Sequence, residues 1–153
     1  MIEKVLDAAG DVSLRAYEQS MRQNANALLI STPAGKLPCS EIFFVNWQPD
    51  ENEELLRQSI IDFVRNVLMN VVAHGHRSVA LPAIGCGRFA CSVNVVVSTL
   101  VSEVKKEIKR RKLTVTVRFV IQPEQENVYD EFHRRILMSD EGNIKFFALP
   151  FYL

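Results

Sequence analysis

The chain has 153 residues, of which 48% are hydrophobic and 24% are charged, a composition typical of one soluble globular domain. Its 18 basic and 18 acidic residues cancel, so no net field attracts nucleic acid or an anionic membrane. No uninterrupted apolar run approaches the ~20 residues that cross a bilayer, and the N-terminus MIEKVLDAAG lacks the hydrophobic region of a secretion signal. Three cysteines without a disulfide-framework spacing favour a reducing, intracellular setting in the cytoplasm or the nucleus.

The first third of the chain is predicted to hold two helices and then two strands. Gly10 separates the helices, and Asp11 has the side chain of an N-cap for the second. The first strand is expected to stop at the turn Thr32-Pro33-Ala34-Gly35. The predicted elements, in order, are helices at 2–8 and 12–23 and strands at 27–31 and 41–47.

The rest of the chain alternates helices and strands. Apolar residues recur at three- and four-residue spacing in two long segments, and the β-branched run TVTVRFVI predicts the clearest strand. Such alternation indicates βαβ crossovers and a largely parallel sheet between helical layers, an α/β fold. The predicted elements, in order, are a helix at 51–73, a strand at 78–81, a helix from about 91 past Ile108, a strand at 114–121, a helix at 124–137 and an extended segment at 144–149.

The stretch LPAIGCGRFACS, residues 81–92, joins a predicted strand to a predicted helix and holds two of the six glycines. In open α/β sheets, ligands bind beyond the carboxyl ends of the strands. Glycines let the backbone approach a ligand closely, and free N–H groups at a helix start favour phosphate. The turn is therefore a candidate cradle for a phosphate or diphosphate. A tight connection without a ligand explains the spacing equally well.

Other candidate groups have simpler structural explanations. Cys86 would need a base to act as a nucleophile, but His74 and His76 precede the strand and lie at its opposite end. No second ligand pair with metal-site spacing accompanies the cysteines, so neither a metal nor another cofactor is predicted. The basic cluster from Lys105 to Lys112 fits a solvated helix C-terminus, and the lack of an aromatic stacking set argues against nucleic-acid binding.

The segment LPAIGCGRFACSVNVVVSTLVSEVKKEI resembles the strand, phosphate loop and following helix of macrodomains, modules that bind ADP-ribose. Further segments agree in order: Ala8-Ala9-Gly10, then 32–39 leading into the strand 42–47, then 117–121 followed by 127–132. The resemblance spans roughly residues 2–137. In style, the sequence is similar to macrodomains of multidomain animal ADP-ribosyltransferases. It implies a three-layer α/β/α fold with a mixed, largely parallel sheet.

The resemblance also implies roles for individual residues. The backbone of the glycine turn would hold the diphosphate, with Phe89 packed against the distal ribose. Ile121 and Gln122, at the end of the last strand, would flank the adenine, and the turn containing Thr32 and Gly35 would line the outer side of the cleft. The turn residues assigned to the ligand are Ala83, Ile84, Gly85, Cys86, Gly87, Arg88 and Phe89.

Macrodomains carry strands before the first matched helix, and those strands supply adenine and proximal-ribose contacts. The sequence therefore predicts an incomplete, N-terminally truncated macrodomain at 1–138 that binds ADP-ribose or mono-ADP-ribosylated proteins weakly or not at all. The loop of hydrolytic family members has no counterpart, which favours a role without catalysis. A degenerate protein-interaction scaffold, or a fragment of a larger ADP-ribosyltransferase, remain alternatives.

Missing strands would leave the strand at 114–121 without a neighbour on one side. The C-terminal extension 139–153 includes the apolar segment 144–149, which can add to that edge within its own chain or in a second copy. Self-association through an exposed sheet edge is therefore an expectation of the sequence.

Overall fold

The computed structural model of the chain describes residues 1–137 and 144–147. Its residues cluster into two compact units, Met1–Trp47 and the described residues from Gln48 onward. The predicted domain boundary after residue 138 and the last two residues of the predicted segment 144–149 lie outside the described residues.

The first unit contains two helices and an antiparallel strand pair. Register runs from Leu29 opposite Val45 to Pro33 opposite Glu41. The seven residues between the strands are too few for a crossover, so the chain turns straight back and the pair is antiparallel. Leu6, Ile30 and Phe44 form the core, and the ring of Tyr17 meets Phe44 edge-on at 4.9 Å between centroids. The elements are α1 (Ile2–Ala9), α2 (Asp11–Gln23), β1 (Leu29–Pro33) and β2 (Glu41–Val45).

Two predictions for this unit were wrong in detail. Asp11 is the first residue of α2, and the N-cap is Gly10, which makes no side-chain hydrogen bond and has φ 87°. β1 begins at Leu29 and extends through Thr32 to Pro33, two residues beyond its predicted end. The turn residues at 32–33 still pair with β2 because a proline, which lacks an N–H, is tolerated at the end of an edge strand.

The second unit contains the predicted parallel sheet, with strand order β3-β4-β5. β3 pairs with β4, and β5 pairs with β4 from the other side, both in parallel. β5 thus occupies the edge of β4 within the same chain. In the described part of the chain, no helix has the length and hydropathy to span a bilayer. The elements are α3 (Glu53–Ala73), β3 (Ser78–Pro82), α4 (Val93–Arg111), β4 (Thr116–Val120), α5 (Glu126–Leu137) and β5 (Ile144–Phe147).

The core of the second unit is built on α4, which packs against both α3 and α5. The ring of Phe119 on β4 packs against Phe132 on α5 with 4.6 Å between centroids, and both side chains are 0% exposed. Full burial of each such side chain contributes about 1.5–3 kcal/mol. Four residues of one α4 face are also completely buried: Val96, Val97, Leu100 and Val104. Through α5, this packing links α4 to β4.

Helix ends fix the loops around the sheet. At the end of α3, Gly75 (φ 75°) donates its N–H to the Val72 carbonyl and His76 donates to the Val71 carbonyl, a Schellman motif. The end of α4 has the same arrangement with Lys112 (φ 51°) in the left-handed position, where glycine is usual. At the start of α4, the Ser92 hydroxyl accepts from the Val95 N–H at 3.5 Å.

An ion-pair cluster joins α3 to α4. Arg65 on α3 donates to Glu103 on α4 at 2.8 Å, and Arg110 and Arg111 contact Glu107 at 2.9 Å and 2.7 Å. The Glu107 side chain is 1% exposed. Hydrogen bonding from Arg110, helped by the charges of both arginines, outweighs desolvation and lowers the pKa of the Glu107 carboxyl.

Candidate functional site

The glycine turn leaves β3 at Pro82 and enters α4 after Ser92. β3 and β4 are parallel, so the segment that follows β4 emerges at the same edge of the sheet. A side chain from that segment reaches the turn: Gln125 Nε2 donates to the Cys86 carbonyl at 3.0 Å. The structure therefore places the predicted phosphate turn at the carboxyl edge of the parallel sheet.

Four backbone hydrogen bonds fold the turn on itself. Ile84 donates to Pro82 at 2.9 Å and Cys86 donates to Ala83 at 3.3 Å. The second half is closed by the bonds Ala90 N–H to Gly87 C=O at 3.0 Å and Cys91 N–H to Gly85 C=O at 2.9 Å. Gly85 is buried and has φ 75°, a conformation that a residue with a Cβ rarely adopts. The first glycine of the turn is thus required by its backbone conformation.

Three N–H groups of the turn remain available. Within residues 1–137 and 144–147, the amides of Gly85, Gly87 and Arg88 have no hydrogen-bond partner. Gly87 is exposed, and a Cβ built on it would meet no atom within 4 Å. Close behind them the N-terminus of the 19-residue helix α4 carries the positive end of the helix dipole. Clustered donors beside a helix start are the arrangement that binds phosphate.

The side chains of the turn are not arranged for nucleophilic chemistry. Burial, and secondarily the neighbouring Cys91 thiol, raises the pKa of the Cys86 thiol to about 11. A thiol with that pKa carries little thiolate at neutral pH and is a poor nucleophile. Phe89 is 52% exposed, so an apolar ring face is presented beside the free donors. The turn therefore offers backbone N–H groups and an aromatic surface.

The two residues predicted to flank the adenine differ in exposure. The Ile121 side chain is 2% exposed and belongs to the core, so it can meet a ligand through its backbone. Gln122 is exposed, and its carbonyl accepts from Gln125 N–H at 2.9 Å. Their role beside an adenine stays a prediction.

Sequence reasoning missed Gln125, because a glutamine at a helix start carries no signal for a contact 39 residues away.

The remaining predicted ligand residues, Thr32 and Gly35, lie in the first unit. Thr32 is 1% exposed, and among described residues its hydroxyl has no hydrogen-bond partner. Gly35 has φ 60°, and a Cβ there would overlap the Ala9 carbonyl oxygen and come within 2.8 Å of Ser13 Oγ. Lys36 N–H donates to the same Ala9 oxygen at 2.9 Å. Close packing against the end of α1 therefore explains the glycine without a ligand.

Comparison with known proteins identifies the fold. The family model "Macro domain" matches residues 2–100. A macrodomain of Oceanobacillus iheyensis with MES bound is 20% identical, with a TM-score of 0.75 over 89% of this chain and 74% of that one. The same bacterial macrodomain solved with ADP is also 20% identical, with a TM-score of 0.72 over 89% of this chain and 75% of that one.

More distant structures agree. The macrodomain of ganglioside induced differentiation associated protein 2 is 16% identical, with a TM-score of 0.71 over 85% of this chain and 66% of that one. A Trypanosoma brucei macrodomain in complex with ADP-ribose is 16% identical, with a TM-score of 0.59 over 69% of this chain and 44% of that one. No curated protein matches the sequence significantly. The α/β fold inferred from the sequence is confirmed by these structures.

Proposed function

Because the chain belongs to the macrodomain family, we propose that it is a binding module for ADP-ribose, either free or attached to a protein as mono-ADP-ribose. The observation that carries the proposal is the glycine turn, with the N–H groups of Gly85, Gly87 and Arg88 unpartnered among the described residues. Bound ADP and ADP-ribose in macrodomains of similar fold support the choice of ligand.

In this proposal the diphosphate lies against the turn. The three N–H groups donate to its oxygens, and the dipole of α4 adds favourable charge. Each hydrogen bond to a charged oxygen contributes about 1.5–3 kcal/mol. Phe89 packs on the distal ribose, and Gln122 lies beside the adenine.

Binding in this proposal uses no covalent chemistry. The Cys86 thiol stays protonated at neutral pH because burial raises its pKa to about 11. The turn residue Cys86 contributes its backbone, since its carbonyl accepts a hydrogen bond from Gln125. Replacing its sulfur with oxygen in Cys86→Ser should therefore leave affinity nearly unchanged.

Titration calorimetry with ADP-ribose, ADP and adenosine tests the proposal. ADP-ribose and ADP should bind more tightly than adenosine, because only they present a diphosphate to the turn. Cys86→Ser serves as the control that keeps the backbone. Equal affinity for ADP and adenosine, or loss of binding in Cys86→Ser, would contradict the assignment of the turn.

The low affinity expected from the sequence stays a prediction. A submicromolar dissociation constant for ADP-ribose would contradict it.

The self-association expected from the sequence also stays a prediction. In the described part of the sheet, β3 and β5 are the edge strands, since each pairs on one side with β4. Sedimentation velocity over a range of protein concentrations tests self-association, and a monomer at all concentrations would contradict it.

A further inference from the structure

Gln125 is held rigidly at the start of α5. Its N–H donates to the Gln122 carbonyl at 2.9 Å, and its own carbonyl accepts from Val128 at 3.1 Å and Tyr129 at 3.0 Å. All backbone polar groups of this residue are therefore engaged, and the helix that follows packs against α4. A side chain that leaves such a fixed backbone can hold another segment in place.

The side chain of Gln125 is bonded to the glycine turn. Its amide Nε2 donates to the carbonyl oxygen of Cys86 at 3.0 Å, and the bond is partly buried. That carbonyl belongs to the peptide group that joins Cys86 to Gly87. The carbonyl is at one end of this planar group and the N–H of Gly87 is at the other. In a trans peptide the two point in opposite directions, and no cis peptide is present in the described residues.

Anchoring the Cys86 carbonyl therefore aims the Gly87 N–H away from Gln125. This N–H has no partner among the described residues, and the space around Gly87 is open. The peptide group between Cys86 and Gly87 rotates through ψ of Cys86 and φ of Gly87, and a glycine at position 87 lets that φ change at little steric cost. A rotated peptide would present a carbonyl oxygen in place of the N–H, and that oxygen would repel a phosphate.

We infer that Gln125 is a positioning residue for the phosphate turn, which keeps the Gly87 N–H directed at the diphosphate of the ligand. The inference rests on the proposed function, because it needs a diphosphate in the turn. It assigns a role to the residue that immediately precedes α5, which lies outside the turn and need not contact the ligand itself.

Gln125→Glu is the sharpest variant, because it keeps the size of the side chain and replaces the donor with an acceptor. Asn127→Ala, which removes an exposed amide from the first turn of the same helix, is the matched control. Gln125→Glu should weaken ADP-ribose and ADP binding about tenfold, the effect of ~1.4 kcal/mol, and leave adenosine affinity unchanged. Asn127→Ala should leave all three affinities as in the wild type.

A second measurement tests the hydrogen bond from Gln125 to the Cys86 carbonyl in the absence of any ligand. The carbonyl carbon resonance of Cys86 in the free protein should move upfield in Gln125→Glu, because a carbonyl that loses its donor is less polarised. It should not move in Asn127→Ala. A merely stabilising contact would lower the melting temperature without changing the ratio of ADP to adenosine affinities.

The outcomes separate the two claims. Wild-type protein that binds ADP-ribose while Gln125→Glu binds it equally well would overturn the positioning role alone. An unchanged Cys86 carbonyl resonance in Gln125→Glu would overturn it too, whatever the ligand does. Wild-type protein that binds neither ADP-ribose nor ADP would overturn the proposed function, and the positioning role with it.

Discussion

Substitution of Gly87 by valine should separate ligand binding from folding. Gly87 is exposed, its φ lies outside the left-handed region, and a Cβ there meets nothing within 4 Å. The free energy of unfolding should therefore change by about 0.5 kcal/mol or less. The same open space is where the proposed diphosphate lies, so the branched side chain would keep phosphate from the N–H groups.

Loss of one charged hydrogen bond costs about 1.5–3 kcal/mol, which corresponds to roughly a 10- to 100-fold increase in the dissociation constant for ADP-ribose. Calorimetric titration measures the affinity, and thermal unfolding of the same sample measures the stability. The reasoning would be refuted by a Gly87→Val protein that binds ADP-ribose as tightly as the wild type. It would also be refuted by a loss of binding that merely follows unfolding.

Gly75→Ala is the matched control with the opposite pattern. A Cβ at Gly75 also meets nothing within 4 Å, but its φ of 75° is left-handed and it closes the Schellman motif at the end of α3. Alanine there should cost roughly 1–2 kcal/mol of stability and leave the ratio of ADP-ribose to adenosine affinity unchanged. Gly87→Val should therefore lower the affinity for ADP-ribose without lowering stability, whereas Gly75→Ala should lower stability without changing ligand preference.

Three further changes test the packing. Gly35→Ala should destabilise the protein by about 3 kcal/mol or more, because its Cβ would overlap the backbone oxygen of Ala9; denaturant unfolding measures this, and a neutral effect would contradict it. Lys112→Gly should stabilise by about 1 kcal/mol, because the native φ of 51° is left-handed; an unchanged melting temperature would argue against strain there. The Glu107 carboxyl has a pKa below its ordinary 4.5. Its contribution to the free energy of unfolding is therefore present above that value and is lost as the pH falls through the lower folded pKa. Glu107→Gln should therefore be less stable at neutral pH and show a flatter decline below about pH 4.5, and parallel stability curves would contradict this.

The sequence predicted the parallel half of the fold well. Long apolar periodicities in α3 and α4 and the β-branched run around β4 are strong local signals, because each element buries one continuous face. The boundaries of β1 and the N-cap of α2 were weaker predictions. Pairing with β2 extends β1 into Pro33, and Gly10 is the N-cap of α2, so the helix begins at Asp11.

The candidate site was predicted only in part. The glycine turn itself is local, and its position follows from the rule that parallel strands end at one edge of the sheet. The contact from Gln125 to Cys86 joins segments 39 residues apart, and nothing in either segment signals it. Gly35 illustrates the opposite case, since its tight packing on Ala9 gives a structural reason for a glycine assigned to the ligand from sequence.

Titration of isotope-labelled protein with ADP-ribose, followed by amide resonances, tests the central claim most directly. Donation from the turn to a diphosphate should shift the amide protons of Gly85, Gly87 and Arg88 downfield, because hydrogen bonds to a charged acceptor deshield the proton. Adenosine should leave these three resonances in place. ADP-ribose that binds and shifts other amides while these three stay unmoved would contradict the proposal that the glycine turn holds the phosphates.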